Sequence, residues 1–439
     1  MEVVLASSSV DGGIGCWDLR TGAEHLRYKS CSSPTHCLVS VGGRFLASSQ
    51  LRDPTASSGS VFFWSWNKPQ VEVKSFPAEP LKSLSANHPG DYIAGGGGLS
   101  GHIYFWEVDT GRLLKKWHAH YRPVTCLVFS EDDSLLITGS EDGCVRVWSL
   151  FMIFDDLKSQ EASNLYMHSF SQHSLPVTDV VIGNGGANAI IVSASEDRTC
   201  KVWSLSTGTL LRNIVFHTVI DSIAMDPAEH VFYAGGRDGN IFIAALTAES
   251  VATSKYGKHI IGAFSNHSNT VTCLAYGTSG DFLISGSEDG MVRVWNLRTR
   301  NIVRMFKHAK GPVNNILVAR QEIDSSNHMS LQAPSRKHGS SLPPPLEKYP
   351  TEEAPDTTLV SLGVGGRCED VKYVSYDVLC NNLKELQHQN SAAASEMEME
   401  RLKHDSQRSM QMVNQWKKMY ENLHEFCVKE LLDGVKQHP

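Results

Sequence analysis

The stretch GSEDGCVRVW at Gly139–Trp148 recurs, changed at one position, as GSEDGMVRVW at Gly286–Trp295. A close copy, SASEDRTCKVW, occupies Ser193–Trp203. In all three, a short apolar run leads into an acidic turn, and residues of alternating polarity follow up to the Trp. Asp-Gly favours a tight turn, because Asp caps the backbone and Gly tolerates positive φ. The phrase therefore predicts two antiparallel strands joined by a short turn.

Weaker copies extend this repeat along most of the chain. Each copy ends at its Trp, or in one case at the residue that replaces the Trp. The seven endpoints are Trp17, Trp64, Trp106, Trp148, Trp203, Ile243 and Trp295. Strand–turn–strand units at steps of 40 to 55 residues are typical of a WD-repeat β-propeller. We predict an all-β fold of seven blades, and we expect the blade that has Ile243 in place of Trp to be less rigid.

The two ends of the repeat region are predicted to meet in one blade. Val3–Ala6 has the character of a second strand, and no His-bearing first strand precedes it. The missing piece follows the last repeat, where His308 precedes the apolar stretch Val313–Ala319. Pairing of the two stretches would close the ring and remove both open sheet edges. The propeller is therefore predicted to span residues 1–319.

Full repeats also carry a His, a hydroxyl residue, the turn Asp and the Trp. In WD repeats, which these residues resemble, the four form one buried hydrogen-bonded chain that makes a blade rigid. The predicted sets are His120/Thr138/Asp142/Trp148, His173/Ser193/Asp197/Trp203 and His267/Ser285/Asp289/Trp295, with His308, Asp11 and Trp17 in the closing blade. A catalytic Ser–His–Asp interpretation is disfavoured, because a catalytic site has no reason to occur three times. We expect no enzyme, and neither a cofactor nor a metal site.

Three of the turns place a Glu directly before the Asp, at Glu141, Glu196 and Glu288. In propellers this position rims the top face, so the three residues would together form an acidic partner surface. Glu is also common at this position in WD repeats, and a purely local role therefore stays open.

Composition limits the function classes. The 439 residues exceed the roughly 320 that seven blades need, which leaves an appendage. A net charge of −7 argues against broad nucleic-acid binding. Without a run of about 18 apolar residues, no membrane contact is expected. Ten cysteines without a Cys-x-x-Cys pattern indicate buried thiols in a reducing compartment.

The appendage divides into two segments. Residues 320–375 are rich in Ser and Pro and are predicted to be a solvated linker with a short apolar segment. The alternative at Pro343–Pro345 is a docking motif for a proline-recognition domain. Residues 376–436 are predicted to be a helical coiled-coil tail, because apolar residues recur there at heptad spacing. Its seam residues are Leu379, Leu383, Leu386, Met412, Trp416, Met419, Leu423 and Phe426. We predict a homodimer through this tail; the alternative is an amphipathic helix folded back on the propeller.

The layout of the whole chain resembles one WD-repeat family. The resemblance lies in the opening Met1–Arg20, in Asp91–Gly96, in Gly101–Trp106 and in His118–Val124, and in a helical tail after a Ser/Pro-rich linker. The chain is similar to the WD-repeat subunit of the Rix/Ipi complex, which matures the large ribosomal subunit, and above all to the plant member of that family.

The resemblance implies a non-enzymatic scaffold of the nucleus, both nucleolus and nucleoplasm, that acts in processing internal transcribed spacer RNA. Its implied partners are a large helical-repeat scaffold subunit of the Rix type, the ATPase midasin and the pre-large-subunit particle. The plant member further implies a developmental role in meristem cell proliferation and root initiation. A propeller also suits another class of function, that of a chromatin or replication-licensing adaptor or of a ubiquitin-ligase substrate receptor.

Overall fold

The computed structural model describes residues 2–50, 58–155, 165–246, 259–308, 311–320 and 342–350, together with Met399. They form seven four-stranded antiparallel sheets. The innermost strand of each sheet contacts the innermost strand of the next, all the way around a closed ring. The predicted seven-bladed propeller is confirmed. All seam residues of the predicted coiled-coil tail, and every other residue of the tail except Met399, lie outside the described residues.

The strands are numbered in chain order. Blade one begins with β1 (Glu2–Ser7), β2 (Ile14–Asp18) and β3 (Glu24–Tyr28). Blade two contains β4 (Leu38–Val41), β5 (Phe45–Ser49), β6 (Val61–Ser65) and β7 (Val73–Ser75). Blade three contains β8 (Leu81–Ala86), β9 (Tyr92–Gly97), β10 (His102–Glu107) and β11 (Leu113–His118). Blade four contains β12 (Val124–Phe129), β13 (Leu135–Ser140), β14 (Val145–Ser149) and β15 (Tyr166–Phe170).

Blade five contains β16 (Val177–Ile182), β17 (Ile190–Ser195), β18 (Thr199–Ser204) and β19 (Thr209–Val215). Blade six contains β20 (Ile220–Met225), β21 (Val231–Gly236), β22 (Asn240–Ala245) and β23 (Ile260–Ser265). Blade seven contains β24 (Val271–Tyr276), β25 (Phe282–Ser287), β26 (Met291–Asn296) and β27 (Asn301–Lys307), and β28 (Asn315–Arg320) returns to blade one. Helix α1 (Leu150–Phe154) and a 3-10 turn (Gly186–Asn188) interrupt the strands. Within the described part of the chain, no helix has the length and apolar character needed to cross a membrane.

The core is a ring of seven apolar clusters, one between each pair of neighbouring blades. The six tryptophans at the repeat position each enter the cluster shared with the preceding blade. Trp203, for example, packs with Val147 of blade four. Every sheet is thus covered on both faces, which explains why second strands such as β13 and β17 are buried at every residue.

Blade six requires a correction. Trp148 stands opposite Leu136, directly after a β-bulge, whereas the residue that stands opposite Phe232 after the matching bulge is Ala244. Ala244 also faces blade five, as a repeat Trp would, while Ile243 faces blade seven. The position that lost its Trp is therefore Ala244, and the assignment to Ile243 was wrong by one residue. Phe216, Phe232 and Phe242 fill the cluster beside it, and the rings of Phe216 and Phe242 pack at a tilted angle with centroids 5.5 Å apart.

The predicted closure of the ring is confirmed. β28 pairs antiparallel with β1, with Ala319 opposite Val3 and Ile316 opposite Ala6. Both ends of the repeat region therefore lie in one sheet, and blade one has no strand missing. Contacts of β28 with β24 on one side and with β4 on the other complete the inner ring.

Asn315, at the start of β28, fastens this joint to blade two. Its side chain is 5% exposed, and its Nδ2 donates to the Pro34 carbonyl at 2.7 Å and to the Ser33 hydroxyl at 3.0 Å. Its Oδ1 accepts a hydrogen bond from the Cys37 backbone amide at 3.0 Å. One amide thus satisfies buried polar groups that the β3–β4 connection leaves without a strand partner.

Part of the linker departs from its predicted state. Residues 342–350 pack on the propeller, with Leu346 only 5% exposed in the cluster between blades two and three. The expectation of a solvated segment was therefore wrong for these residues. The predicted apolar segment further along, Leu359–Val364, lies outside the described residues.

The joint at Asn315 can be tested by substitution. We expect Asn315→Ala to lower the free energy of unfolding by about 1–3 kcal/mol, because buried amide and carbonyl groups lose their partner. The matched control is Asn314→Ala. Asn314 is half-buried and its side chain makes one long bond, at 3.4 Å to the Ser33 carbonyl, so we expect a loss below about 0.5 kcal/mol. Urea unfolding followed by Trp fluorescence measures both, and equal losses would contradict the role given to Asn315.

Candidate functional site

Blade four contains a chain of hydrogen bonds around a buried imidazole. Trp148 Nε1 donates to Thr138 Oγ1 at 2.9 Å, and the same oxygen lies 2.7 Å from His120 Nε2. His120 Nδ1 lies 3.2 Å from Asp142 Oδ2 in the β13–β14 turn. The same bonds unite His173, Ser193, Asp197 and Trp203 in blade five, and His267, Ser285, Asp289 and Trp295 in blade seven.

Burial determines the protonation of these imidazoles. It lowers the pKa of His120 and His173, and it lowers the pKa of His267 to about 4. A neutral ring then donates from Nδ1 to the turn carboxylate and accepts the hydroxyl proton at Nε2. Burial alone would raise the pKa of Asp142, yet the hydrogen bonds that it accepts, led by the one from His120, hold its pKa at about 2. Because His120 is 0% exposed, no substrate can reach the hydrogen-bonded network of blade four.

Blade one departs from this pattern. His308 reaches it as predicted, but Nε2 lies 3.2 Å from the carbonyl oxygen of Gly13, and no bond to Asp11 occurs among the described residues. Six residues separate the paired Ser7 and Ile14, against five in the equivalent turn of blade four. The longer turn carries Asp11 out to an exposed position. Trp17 stacks instead on Phe306 of blade seven, with ring centroids 5.3 Å apart.

The turn Asp also organises the top face, by which we mean the end of the ring that carries the β13–β14 turn and its equivalents. Asp142 Oδ2 accepts the backbone amide of Tyr121, and Asp197 Oδ2 that of Ser174, each at 3.2 Å. The loops that lead into β12 and β16 are therefore fastened to the turns that carry Glu141 and Glu196. The buried networks hold these surface residues in place.

A cavity of about 980 Å³ opens at the centre of the top face. Residues of blades two to seven line it, and Glu141, Glu196 and Glu288 are among them, as is Asp221 at the start of β20. The three predicted acids therefore lie around one concavity. Asp221 belongs to no repeat phrase, so it was not predicted from the sequence.

Two cations pair with most of this acidic charge. Lys82 Nζ lies 2.5 Å from Glu141 Oε1. Arg237 lies 2.6 Å from Glu196 and 2.9 Å from Asp221, and it occupies in blade six the turn position that holds Glu in three other blades. Glu288 is exposed and makes no ion pair among the described residues. Four carboxylates against two cations leave the cavity with two net negative charges: one on Glu288 of blade seven, and one shared by Glu196 and Asp221 around Arg237.

Exposed apolar side chains also lie on the top face, and one of them, Leu99, lines the cavity. Leu99, in the β9–β10 turn, is 67% exposed, Tyr121 is 82% exposed and Leu175 is 48% exposed. The Tyr121 ring lies 5.8 Å from the guanidinium of Arg146, which restrains it on the surface. An acidic concavity flanked by aromatic and aliphatic side chains suits a protein segment that carries both basic and apolar residues.

Other chemistry-bearing side chains are accounted for within the fold. In the described part of the chain, no three His, Cys, Asp or Glu side chains lie close enough together to hold a metal ion. Seven cysteines are described there as free thiols, and burial raises the pKa of Cys16 and Cys273 to about 12. Such thiols are poor nucleophiles.

Comparisons with known proteins agree with this architecture. The WD domain, G-beta repeat family matches residues 111–149, 165–204 and 258–296, the repeats whose networks are complete. ROOT INITIATION DEFECTIVE 3 of Arabidopsis thaliana is 53% identical over 440 residues, which cover 98% of both chains. This chain belongs to the ROOT INITIATION DEFECTIVE 3 family. That family extends beyond plants, since WD repeat-containing protein 18 of Bos taurus is 34% identical over 72% of this chain and 73% of its own length. Pre-rRNA-processing protein crb3/ipi3 of Schizosaccharomyces pombe is 27% identical over 77% of this chain and 82% of its own. The resemblance predicted from the sequence is confirmed.

Two adjacent residues of one turn allow the buried network and the cavity rim to be tested separately. Asp142→Ala should lower the free energy of unfolding by about 1–3 kcal/mol, because it leaves the Nδ1 proton of His120 buried without an acceptor. Glu141→Ala, one residue earlier, removes a surface ion pair and should cost less than about 1 kcal/mol. Urea unfolding distinguishes the two variants. A stable Asp142→Ala protein would show that the network does not support the blade.

Proposed function

We propose that this chain is a non-enzymatic scaffold in the nuclear maturation of the large ribosomal subunit. The observation that carries the proposal is the similarity over most of the chain to a relative named as a pre-rRNA-processing protein. The structure is consistent with binding rather than turnover, since its His–Asp sets are enclosed in the blades and its open surface is acidic and apolar. Internal transcribed spacer processing and pre-ribosome remodelling are the steps in which we place it.

The proposed partners follow from the family resemblance. They are a Rix-type helical-repeat subunit, the ATPase midasin and the pre-large-subunit particle, in the nucleolus and nucleoplasm. We assign the top face to one of these proteins, through a segment whose basic side chain pairs with Glu288 and whose apolar side chains contact Leu99 and Tyr121. Dividing meristem cells need many new ribosomes, which would connect this role to root initiation and proliferation.

The function can be tested by depletion. We expect precursors that contain the internal transcribed spacer to accumulate on Northern blots, while small-subunit precursors stay near normal. Rescue with Glu288→Lys should be poor, because the partner's cation would meet a like charge. Glu131→Lys, an exposed acid in the β12–β13 turn at the opposite end of the ring, is the matched control and should rescue fully.

Two results would oppose these assignments. Normal spacer processing together with defective S-phase entry would favour the alternative function, a chromatin or replication-licensing adaptor. Full rescue by Glu288→Lys, with accumulation of precursors in unrescued cells, would retain the scaffold role and remove the top face from it.

We further propose that the tail joins two copies of the chain, on the strength of its heptad spacing. Leu423→Asp combined with Phe426→Asp should then convert a dimer into a monomer, because two charges enter the apolar seam. The melting temperature of the propeller should change little, since the seam lies outside the ring. Light scattering on both proteins measures the mass, and a monomeric wild type at micromolar concentration would contradict self-association.

A further inference from the structure

Residues 342–350, which we call the strap, cross from the outer strand of blade two to the outer edge of blade three. The Leu346 amide donates to Ser75 Oγ at 2.9 Å, and the Glu347 amide donates to the Gly111 carbonyl at 2.8 Å. The Glu347 carbonyl accepts the indole proton of Trp106 at 2.9 Å. The backbone amides of two consecutive strap residues thus donate hydrogen bonds to two different blades.

Side chains of the strap add specific contacts. Leu346 is 5% exposed and packs in the cluster that contains Phe63 of blade two and Trp106 of blade three. Glu347 Oε2 accepts a hydrogen bond from the backbone amide of Leu113 at 3.3 Å. This gives a partner to an amide at the start of the outer strand β11. Pro343 is buried as well, whereas Lys348 and Tyr349 are exposed. The buried leucine and the paired glutamate make the contact dependent on sequence.

The composition of blade three explains why a strap is needed there. In blades four, five and seven, the Trp indole donates to a hydroxyl of the second strand. Strand register places Gly95 at that position in blade three, so Trp106 has no hydroxyl partner in its own blade. Its ring turns so that Cζ3 approaches Gly95, and its indole proton is directed to the strap. A buried donor without a partner is costly, and the strap supplies one.

The groove also has the shape for an extended chain. Gly111 has φ +71, and a Cβ there would lie 2.7 Å from the Pro345 carbonyl oxygen, so only glycine permits the close approach. Three successive prolines restrict the strap to an extended conformation before it docks, which reduces the conformational entropy lost on binding. Groove and strap are therefore complementary in both backbone and side chains.

From these contacts we propose that the groove between blades two and three is a recognition site for an extended proline-rich segment ending in Leu-Glu. The strap occupies it in cis, and this anchors the chain that follows to blade three. β28 ends in blade one, where Arg320 bonds Thr278 of blade seven, so the strap returns the chain to the ring at blades two and three. The proposal does not depend on the ribosomal role.

The full-length chain provides the test. Leu346→Asp should release the strap, because it places a carboxylate in the apolar cluster, and trypsin should then cleave after Lys348 at least tenfold faster than in the wild type. The matched control, Val303→Asp, places the same carboxylate at an apolar residue of β27 in blade seven that is 51% exposed, and it should leave the cleavage rate within about twofold, since it touches no part of the strap.

A peptide added in trans separates recognition from general loosening. A fluorescein-labelled peptide of residues 341–351 should bind the Leu346→Asp chain, whose groove is vacant, and should bind the wild type at least tenfold more weakly, because the tethered strap competes. The same peptide with Leu346→Asp should bind neither protein. Fluorescence anisotropy measures all four pairings of peptide and protein. Unchanged cleavage of the Leu346→Asp chain, or failure of the wild-type peptide to bind it, would overturn the proposal.

Discussion

A buried indole or imidazole hydrogen without a hydrogen-bond partner is costly, and this constraint shapes how most blades surround the repeat Trp. Away from the repeat position, Trp66 and Trp117 each keep a buried indole nitrogen without a partner among the described residues. Blades four, five and seven meet it with a His, a hydroxyl and an Asp, so that the Trp proton ends on the hydroxyl oxygen. Blade two uses the Lys29 carbonyl for Trp64, and blade three uses the strap. The same requirement thus accounts for the three regular repeats and for the irregular blades two and three.

Blade six meets the constraint by removing both partners. Ala244 replaces the Trp, and Ala234 stands where the hydroxyl would be, so neither a donor nor an acceptor is left buried there. Removing both members of a buried pair can be nearly neutral, whereas removing one is costly. The exposed pair of His217 and Asp238, 2.9 Å apart, keeps the turn contact without the interior chain. On this argument, loss of the Trp need not by itself weaken the blade.

The sequence predicted the features that repeat, and the errors lie where the repeat is broken. The period and the ring closure follow from spacing, and the three complete networks follow from the resemblance to WD repeats. Asp11 was misplaced because its turn is one residue longer, and the lost Trp was assigned to Ile243 because no Trp marked the true position. The strap was missed since it has no periodicity of its own and its partners, such as Trp106, lie far away in sequence. Arg237 could have been found by aligning the blade-six turn with the Glu-bearing turns.

The buried networks also determine what the surface can offer a partner. Because Asp142 is fixed from below by His120, the adjacent Glu141 and the loop of Tyr121 are held in place before any partner arrives. Ordering such groups in advance reduces the entropy that binding would otherwise cost. The replacement of Glu by Arg237 in blade six then divides the rim unequally, since it pairs with Glu196 and Asp221 and leaves Glu288 open. A cation brought by a partner therefore finds its unpaired carboxylate, Glu288, at blade seven. The ring is built from similar blades, yet it presents an asymmetric surface.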